Sequence, residues 1–161
     1  MLPIKKILCP TDFSDSSFEA LKVAEELAVN FNAKLYIIHV VNPIPIVAEP
    51  AGPLTFNVSL YQKELEESAK KSLEDIRKNR ISKQVNVHTI VGYGNAADEI
   101  VGSAETENID LIVISTHGRT GFRHLISGSV TEKVIRISNH PVLTIRTAKK
   151  ATDQQTISKG Q

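Results

Sequence analysis

The run Ile109-Asp110-Leu111-Ile112-Val113-Ile114-Ser115-Thr116-His117-Gly118-Arg119-Thr120-Gly121, with Gly128-Ser129 shortly after it, decides the fold. Ile109 to Ile114 is short and almost unbroken in apolar residues. Such a segment suits a strand covered on both faces, the setting of a parallel sheet. The glycines that follow let the backbone turn and come close to a ligand. Ser129 stands three residues before Glu132, the capping-box spacing, and Val130, Val134 and Ile137 form the expected inward stripe of a helix. Strand, glycine-bearing loop and helix N-terminus, in that order, are the parts of an anion site. Free N–H groups and the helix dipole there both favour negative charge, phosphate above all.

Outward from this stretch the same alternation repeats. Towards the N-terminus, Ile4 to Cys9 reads as a strand, and Ser14 or Ser16 offers a helix cap, Ser16 with Glu19 at capping-box spacing. Leu21, Ala24, Leu27, Ala28 and Phe31 follow at helical spacing, then the apolar strand Lys34 to Val41. Leu60 to Arg80 is a helix with Leu65, Ala69, Leu73 and Ile76 in one stripe. Glu66–Lys70, Glu67–Lys71 and Glu74–Lys78 add i,i+4 pairs on its other faces. Gln84 to Val91 is a third strand, Ala97, Ile100, Val101 and Ala104 mark a third helix, and Pro141 to Arg146 is a fifth strand. Pro43, Pro45, Pro50, Gly52 and Pro53 make Asn42 to Ser59 a long loop, expected to be mobile and to cover part of a binding site.

Strands alternating with helices imply an open parallel sheet with helices on both faces. Residues 1–147 are expected to form this α/β domain and 148–161 a disordered polar tail. Ligands of such sheets sit beyond the carboxyl ends of the strands, where the strand order reverses. That singles out two loops, Pro10 to Ser16 and Ser115 to Ser129.

The bulk numbers exclude several classes. With 161 residues and a net charge of +1, the chain lacks the basic excess of a nucleic-acid binder. No apolar run approaches the roughly 18 residues of a membrane span, and the N-terminus lacks a signal-peptide pattern. The single cysteine, Cys9, allows no intrachain disulfide and falls in a buried strand, so it reads as inert core in a cytoplasmic protein. His39, His88, His117, His124 and His140 show no metal-ligand spacing and read as surface or helix-end residues. Gly92-Tyr93-Gly94-Asn95-Ala96-Ala97 fits G-x-G-x-x-A, but it follows the third strand rather than the first, which reads as a tight turn. No Walker A motif and no G-x-S-x-G elbow is present.

Ser115-Thr116-His117-Gly118, nine residues, then Gly128-Ser129 resembles the nucleotide-binding signature of the universal stress protein family, with Ser115 where the family has its first glycine. Ile7 to Ser14, Ser127 to Val134 and Asn139 to Leu143 resemble the same family, so the likeness covers Ile4 to about Arg146. The resemblance implies a five-stranded sheet of order 3-2-1-4-5, the Rossmann-like fold of the adenine nucleotide alpha-hydrolases, and ATP (or ADP or AMP) bound between strands one and four. It places Pro10, Thr11 and Asp12 beside the adenosine and Val41 at the adenine edge. Ile114, Ser115 and Gly118 fall at the ribose and first phosphates, and Gly128, Ser129 and Val130 at the phosphate-cradling helix start. His117 and Arg119 belong to the same loop; Arg119, Arg123 and His124 either add positive charge around the phosphates or simply make a solvated loop. Apolar Val41 and Ile114 are expected to sandwich the base. Mg²⁺ is expected only as a companion of the phosphates, with Asp12 the one protein group placed to align it.

Three readings of function follow. The first is an adenine-nucleotide-binding stress or signalling protein that at most hydrolyses ATP slowly, since no general base is arranged. The second is a nucleotide-free dimer of the same family whose loop is vestigial, with protein partners of its own. The third, a nucleotide-transferring enzyme, requires a further catalytic motif that the chain does not show. In either of the first two, a homodimer is expected through the edge strand Pro141 to Arg146, whose Val142, Leu143 and Ile145 carry no blunting charge.

Overall fold

The computed structural model describes residues 3–43, 58–116 and 129–146. Strands and helices alternate as β1 (Lys6–Pro10), α1 (Asp15–Phe31), β2 (Lys34–Val41), α2 (Val58–Asn79), β3 (Val87–Tyr93), α3 (Ala96–Thr106), β4 (Leu111–Ser115), α4 (Ser129–Ile137) and β5 (Val142–Ile145). The strands form one five-stranded sheet of order β3-β2-β1-β4-β5, and every pairing is parallel. This is the architecture expected from the sequence.

Alternation along each strand sends side chains to two separate cores. Ile7, Cys9, Leu35, Ile37 and Val113 pack on one face with Leu21 and Ala24 of α1 and Leu73 and Ile76 of α2. Leu8, Tyr36, Ile38, Ile112 and Ile114 pack on the other with Ile100 and Ala104 of α3 and Val134 of α4. Burial of each large aliphatic side chain contributes about 1.5–3 kcal/mol. Two buried layers explain why the strands read as continuous apolar runs.

Several boundaries differ from the sequence reading, each for a local reason. Ile4 and Ile109 are buried but precede the ladder. The Asp110 carboxylate takes the Lys5 and Lys6 N–H groups (2.8 and 2.9 Å), so β1 starts at Lys6. The segment before β3 is a turn closed by Val85 N–H to Ser82 O (3.1 Å), so β3 starts at Val87. The cap of α1 is Ser14, whose hydroxyl accepts the Ser17 N–H, and Glu19 pairs with Lys22 instead of closing a capping box with Ser16. Asn32 ends α1 in the left-handed region (φ 52°), which leaves Phe31 exposed rather than in the core stripe.

On α2, Ala69, Leu73 and Ile76 are buried as expected. The Glu66–Lys70 and Glu74–Lys78 pairs form, with Arg77 also on Glu74; no ion pair joins Glu67 and Lys71 among the described residues. On α4 the inward face is Thr131 and Val134, while Val130 and Ile137 are exposed. A hydrogen bond sets this rotation: the buried Thr131 hydroxyl donates to Ser115 O at 2.7 Å.

Candidate functional site

The sheet splits at its carboxyl end between β1 and β4. The β1–β2 ladder runs through Pro10, paired with Ile38, but the β1–β4 ladder holds only Ile7 with Leu111 and Leu8 with Ile112. In a parallel ladder, successive residues turn their backbone groups to opposite neighbours. Thr11 N–H bonds Ile38 O on β2 at 2.8 Å, so Pro10 faces β4. Proline has no N–H to donate. The ladder therefore stops there, while β4 continues beside β5 to Ser115. Extending the register sets Pro10 opposite Ile114 across the gap. This gap lies where the chain order reverses, with β2 and β3 on one side of β1 and β4 and β5 on the other.

One wall of the gap is the β1–α1 loop, and it is tightly braced. The Thr11 hydroxyl accepts the Phe13 N–H (3.0 Å) and meets the Ser17 hydroxyl (2.9 Å). Asp12 Oδ1 accepts from the Ser14 N–H at 3.1 Å and from the Ser14 hydroxyl, an Asx turn that starts α1. Phe13 is held at φ 64°, a region that non-glycine residues rarely adopt. His39 clamps this turn from β2. Its Nδ1 lies 2.8 Å from Thr11 O, and a carbonyl only accepts, so Nδ1 carries the proton. Its ring packs on Phe13 with 4.3 Å between centroids. The sequence reading placed His39 at a surface or helix end; it is a half-buried part of β2.

The β2 wall distinguishes Val40 from Val41. Val41 O accepts the Gly94 N–H at 3.1 Å, so its backbone faces β3. Val40 shares the parity of Ile38 and turns its backbone towards the end of β1. Side chains divide in the same way. Val40 packs with Leu8, Ile38 and Ile114, whereas Val41 is on the face of Leu35 and Ile37. Val41 and Ile114 therefore do not face one another as a sandwich. Val40 was not singled out in the sequence; only the register of β2 against both neighbours reveals it.

Opposite stand β4 and α4. Ser115 ends β4 nearly buried, and its carbonyl is bound by Thr131, which ties the start of α4 to the gap. Ser129 and Val130 are exposed in the first turn of α4. The structure thus brings Pro10, Thr11, Asp12, Ile114, Ser115, Ser129 and Val130 to one end of the sheet, with Val41 turned away. His117, Gly118, Arg119, Arg123, His124 and Gly128 lie outside the described residues, as do 44–57 of the proline-rich loop and 147–161.

Asp12 Oδ1 is engaged by Ser14, and among the described residues no three His, Cys, Asp or Glu side chains gather. Cys9 is fully buried beside the gap, and that burial pushes its thiol up to about 12. The G-x-G-x-x-A stretch is a turn: Gly94 has φ 122°, and Asn95 caps α3 by accepting the Ala97 and Asp98 N–H groups. No helix among the described residues is long and apolar enough to cross a membrane.

Residues 3–146 match the model of the universal stress protein family. Universal stress protein MJ0531 of Methanocaldococcus jannaschii is 40% identical over 146 residues, which cover 91% of this chain and 84% of the relative. The solved structure of MJ0577, from the same organism, superposes with a TM-score of 0.79 at 32% identity over 91% of this chain and 99% of that one. A universal stress protein from Archaeoglobus fulgidus, solved in complex with dAMP, superposes with a TM-score of 0.56 over 89% of this chain and 98% of that one. At 23% identity its likeness is one of fold.

Proposed function

The chain belongs to the universal stress protein family, and from that premise we propose that it binds an adenine nucleotide, ATP foremost, in the gap between β1 and β4. The observation that carries this reading is the early end of the β1–β4 ladder at Pro10, at the switch point of the sheet and in front of α4. The base lies between the β1–α1 loop and β2, where the Val40 backbone supplies a donor and an acceptor for its edge and Val40 and Ile114 supply apolar walls. The phosphates lie at the first turn of α4, with Gly128, Ser129 and Val130. Gly118 and Ser115 flank the ribose, and Arg119 and His117 supply charge. Mg²⁺ arrives on the phosphates rather than on a protein cage. The A. fulgidus relative in complex with dAMP supports an adenine ligand.

The role is that of a nucleotide-binding module, rather than a fast enzyme, in a stress or signalling response, built as a two-fold homodimer. The four-residue edge strand β5 and the exposed Val130, Ile135, Ile137 and Leu143 on α4 and β5 support the dimer. Calorimetry tests the ligand: ATP binds with a Kd in the micromolar range or weaker, about −8 kcal/mol or less in magnitude. Gly128→Val weakens ATP far more than adenosine, because a branched side chain covers the helix N-terminus. No heat and no thermal shift at millimolar ATP would leave the nucleotide-free dimer as the standing account.

A further inference from the structure

Among the described residues no strand pairs with the outer edge of β3, and the chemistry of this edge differs from that of the nucleotide gap. Leu35 N–H bonds Asn86 O, and Gly94 N–H bonds Val41 O. By alternation, His88, Ile90 and Gly92 serve the β2 ladder, and Val87, Thr89, Val91 and Tyr93 point their N–H and C=O groups outward. Such edges invite another strand unless lysine or proline blunts them. β3, Val-His-Thr-Ile-Val-Gly-Tyr, carries neither.

A groove of about 590 Å³ runs beside this edge between His88, Thr89, Ile90 and Val91 of β3 and the exposed side of α3. The charged side chains that line it are all acidic, Asp98, Glu99 and Glu107, and the nearest cations, Lys133 and Lys6, are spent at its rim, the Lys6 ammonium donating to Glu107 O at 2.7 Å. Asp98 meets Lys133 at 2.8 Å; Glu99 and Glu107 have no ion pair among the described residues. Gly102 lies in the same wall. Glycine is disfavoured inside a helix, yet a Cβ at Gly102 would meet nothing within 4 Å. Close packing does not require this glycine; its effect is to deepen the groove.

We propose that the β3 edge and its acidic groove take an extended, lysine- or arginine-bearing segment of a partner protein, added as an outer strand beside Val87–Tyr93. The outward backbone groups supply the ladder, and alternate side chains of the guest reach Glu99, Glu107 and Asp98. A second copy of this chain is the poorer guest, since pairing the same edge of two copies sets two acidic α3 helices side by side. This inference stands apart from the nucleotide reading.

The test uses the full ¹⁵N-labelled chain and a seven-residue peptide alternating lysine and valine, with its glutamate–valine counterpart as control. Amide exchange at Val87, Thr89, Val91 and Tyr93 slows with the lysine peptide, while Ile90 stays as protected as before. The lysine peptide binds at least about tenfold tighter than the glutamate peptide, and added salt erodes the difference. Thr89→Pro removes an outward N–H, and Gly102→Met fills the groove while improving helix propensity. Each weakens the lysine peptide about tenfold or more, and Gly102→Met does so with no loss of thermal stability. Equal binding of the two peptides, or protection at Val142 and Thr144 instead, overturns the proposal. So does protection of the outward β3 amides before peptide is added. If that protection grows with protein concentration, the guest is a second copy; if it does not, the chain covers its own edge.

Discussion

The two edges of the sheet are built from similar strands and end in opposite surroundings. β3 and β5 are both short, apolar and free of internal lysine and proline. β5 follows a helix that exposes Val130, Ile135 and Ile137, and β5 itself exposes Leu143. β3 runs beside α3 and the groove between them, which Asp98, Glu99 and Glu107 line. The backbone of an edge makes it sticky, but the neighbouring helix selects what sticks. An apolar surround favours self-association, where identical surfaces meet without charge conflict. A surround of one charge sign excludes the same surface and selects a partner of the other sign.

Proline substitutions break the comparison most sharply. Ile90→Pro removes a rung of the β2–β3 ladder and costs about 3 kcal/mol or more in urea unfolding, whereas Val91→Pro, with its N–H outward, costs distinctly less. Equal losses would show that the assigned parity of β3 is wrong. The next effect separates the edges. Thr144→Pro deletes an outward N–H of β5 and weakens the proposed homodimer by about 2 kcal/mol, roughly thirtyfold, because symmetry removes the bond twice. Thr89→Pro on β3 leaves the mass seen by light scattering unchanged; a fall in mass there would transfer the dimer to the other edge.

A smaller effect tests the turn that carries β3 into the acidic helix. Asn95→Ala removes the cap of α3 and one acceptor of Lys133, and lowers stability by about 1 kcal/mol. A loss near zero would mean that Lys133 and Asp98 hold the turn without the cap. The smallest effect belongs to the middle of the sheet. Cys9, fully buried and with its thiol pushed up to about 12, gives no reaction with an aromatic disulfide reagent at pH 8 until denaturant is added. Prompt labelling of native protein would mean that the β1–β4 gap opens as far as β1 itself.

The fold was legible because covered strands must be apolar on both faces, and the runs around Ile7, Ile37 and Val113 have that property. Pro10 was legible as the start of the loop after the first strand, but that it ends one ladder and not the other needed the register. The candidate site was only half legible. Val40 and Val41 are the same residue type, and no periodicity says which one faces β1. The rotation of α4 depends on a hydroxyl of Thr131 reaching a carbonyl 16 residues earlier, which hydropathy does not register. His39 acts on Thr11 from 28 residues away, and the cap fell to Ser14 because Asp12 had already turned the chain. The rotation of α4 and the place of His39 are tertiary hydrogen bonds overriding a local pattern, and the choice of Ser14 over Ser16 is a local Asx turn.

The burial of Cys9 also limits what this protein can perceive. It is the only cysteine in the chain. A peroxide or an electrophile finds no exposed thiolate to oxidise or alkylate, so reversible cysteine chemistry is closed to the native fold, and a sulfenic acid or mixed disulfide at this position requires that the sheet first come apart.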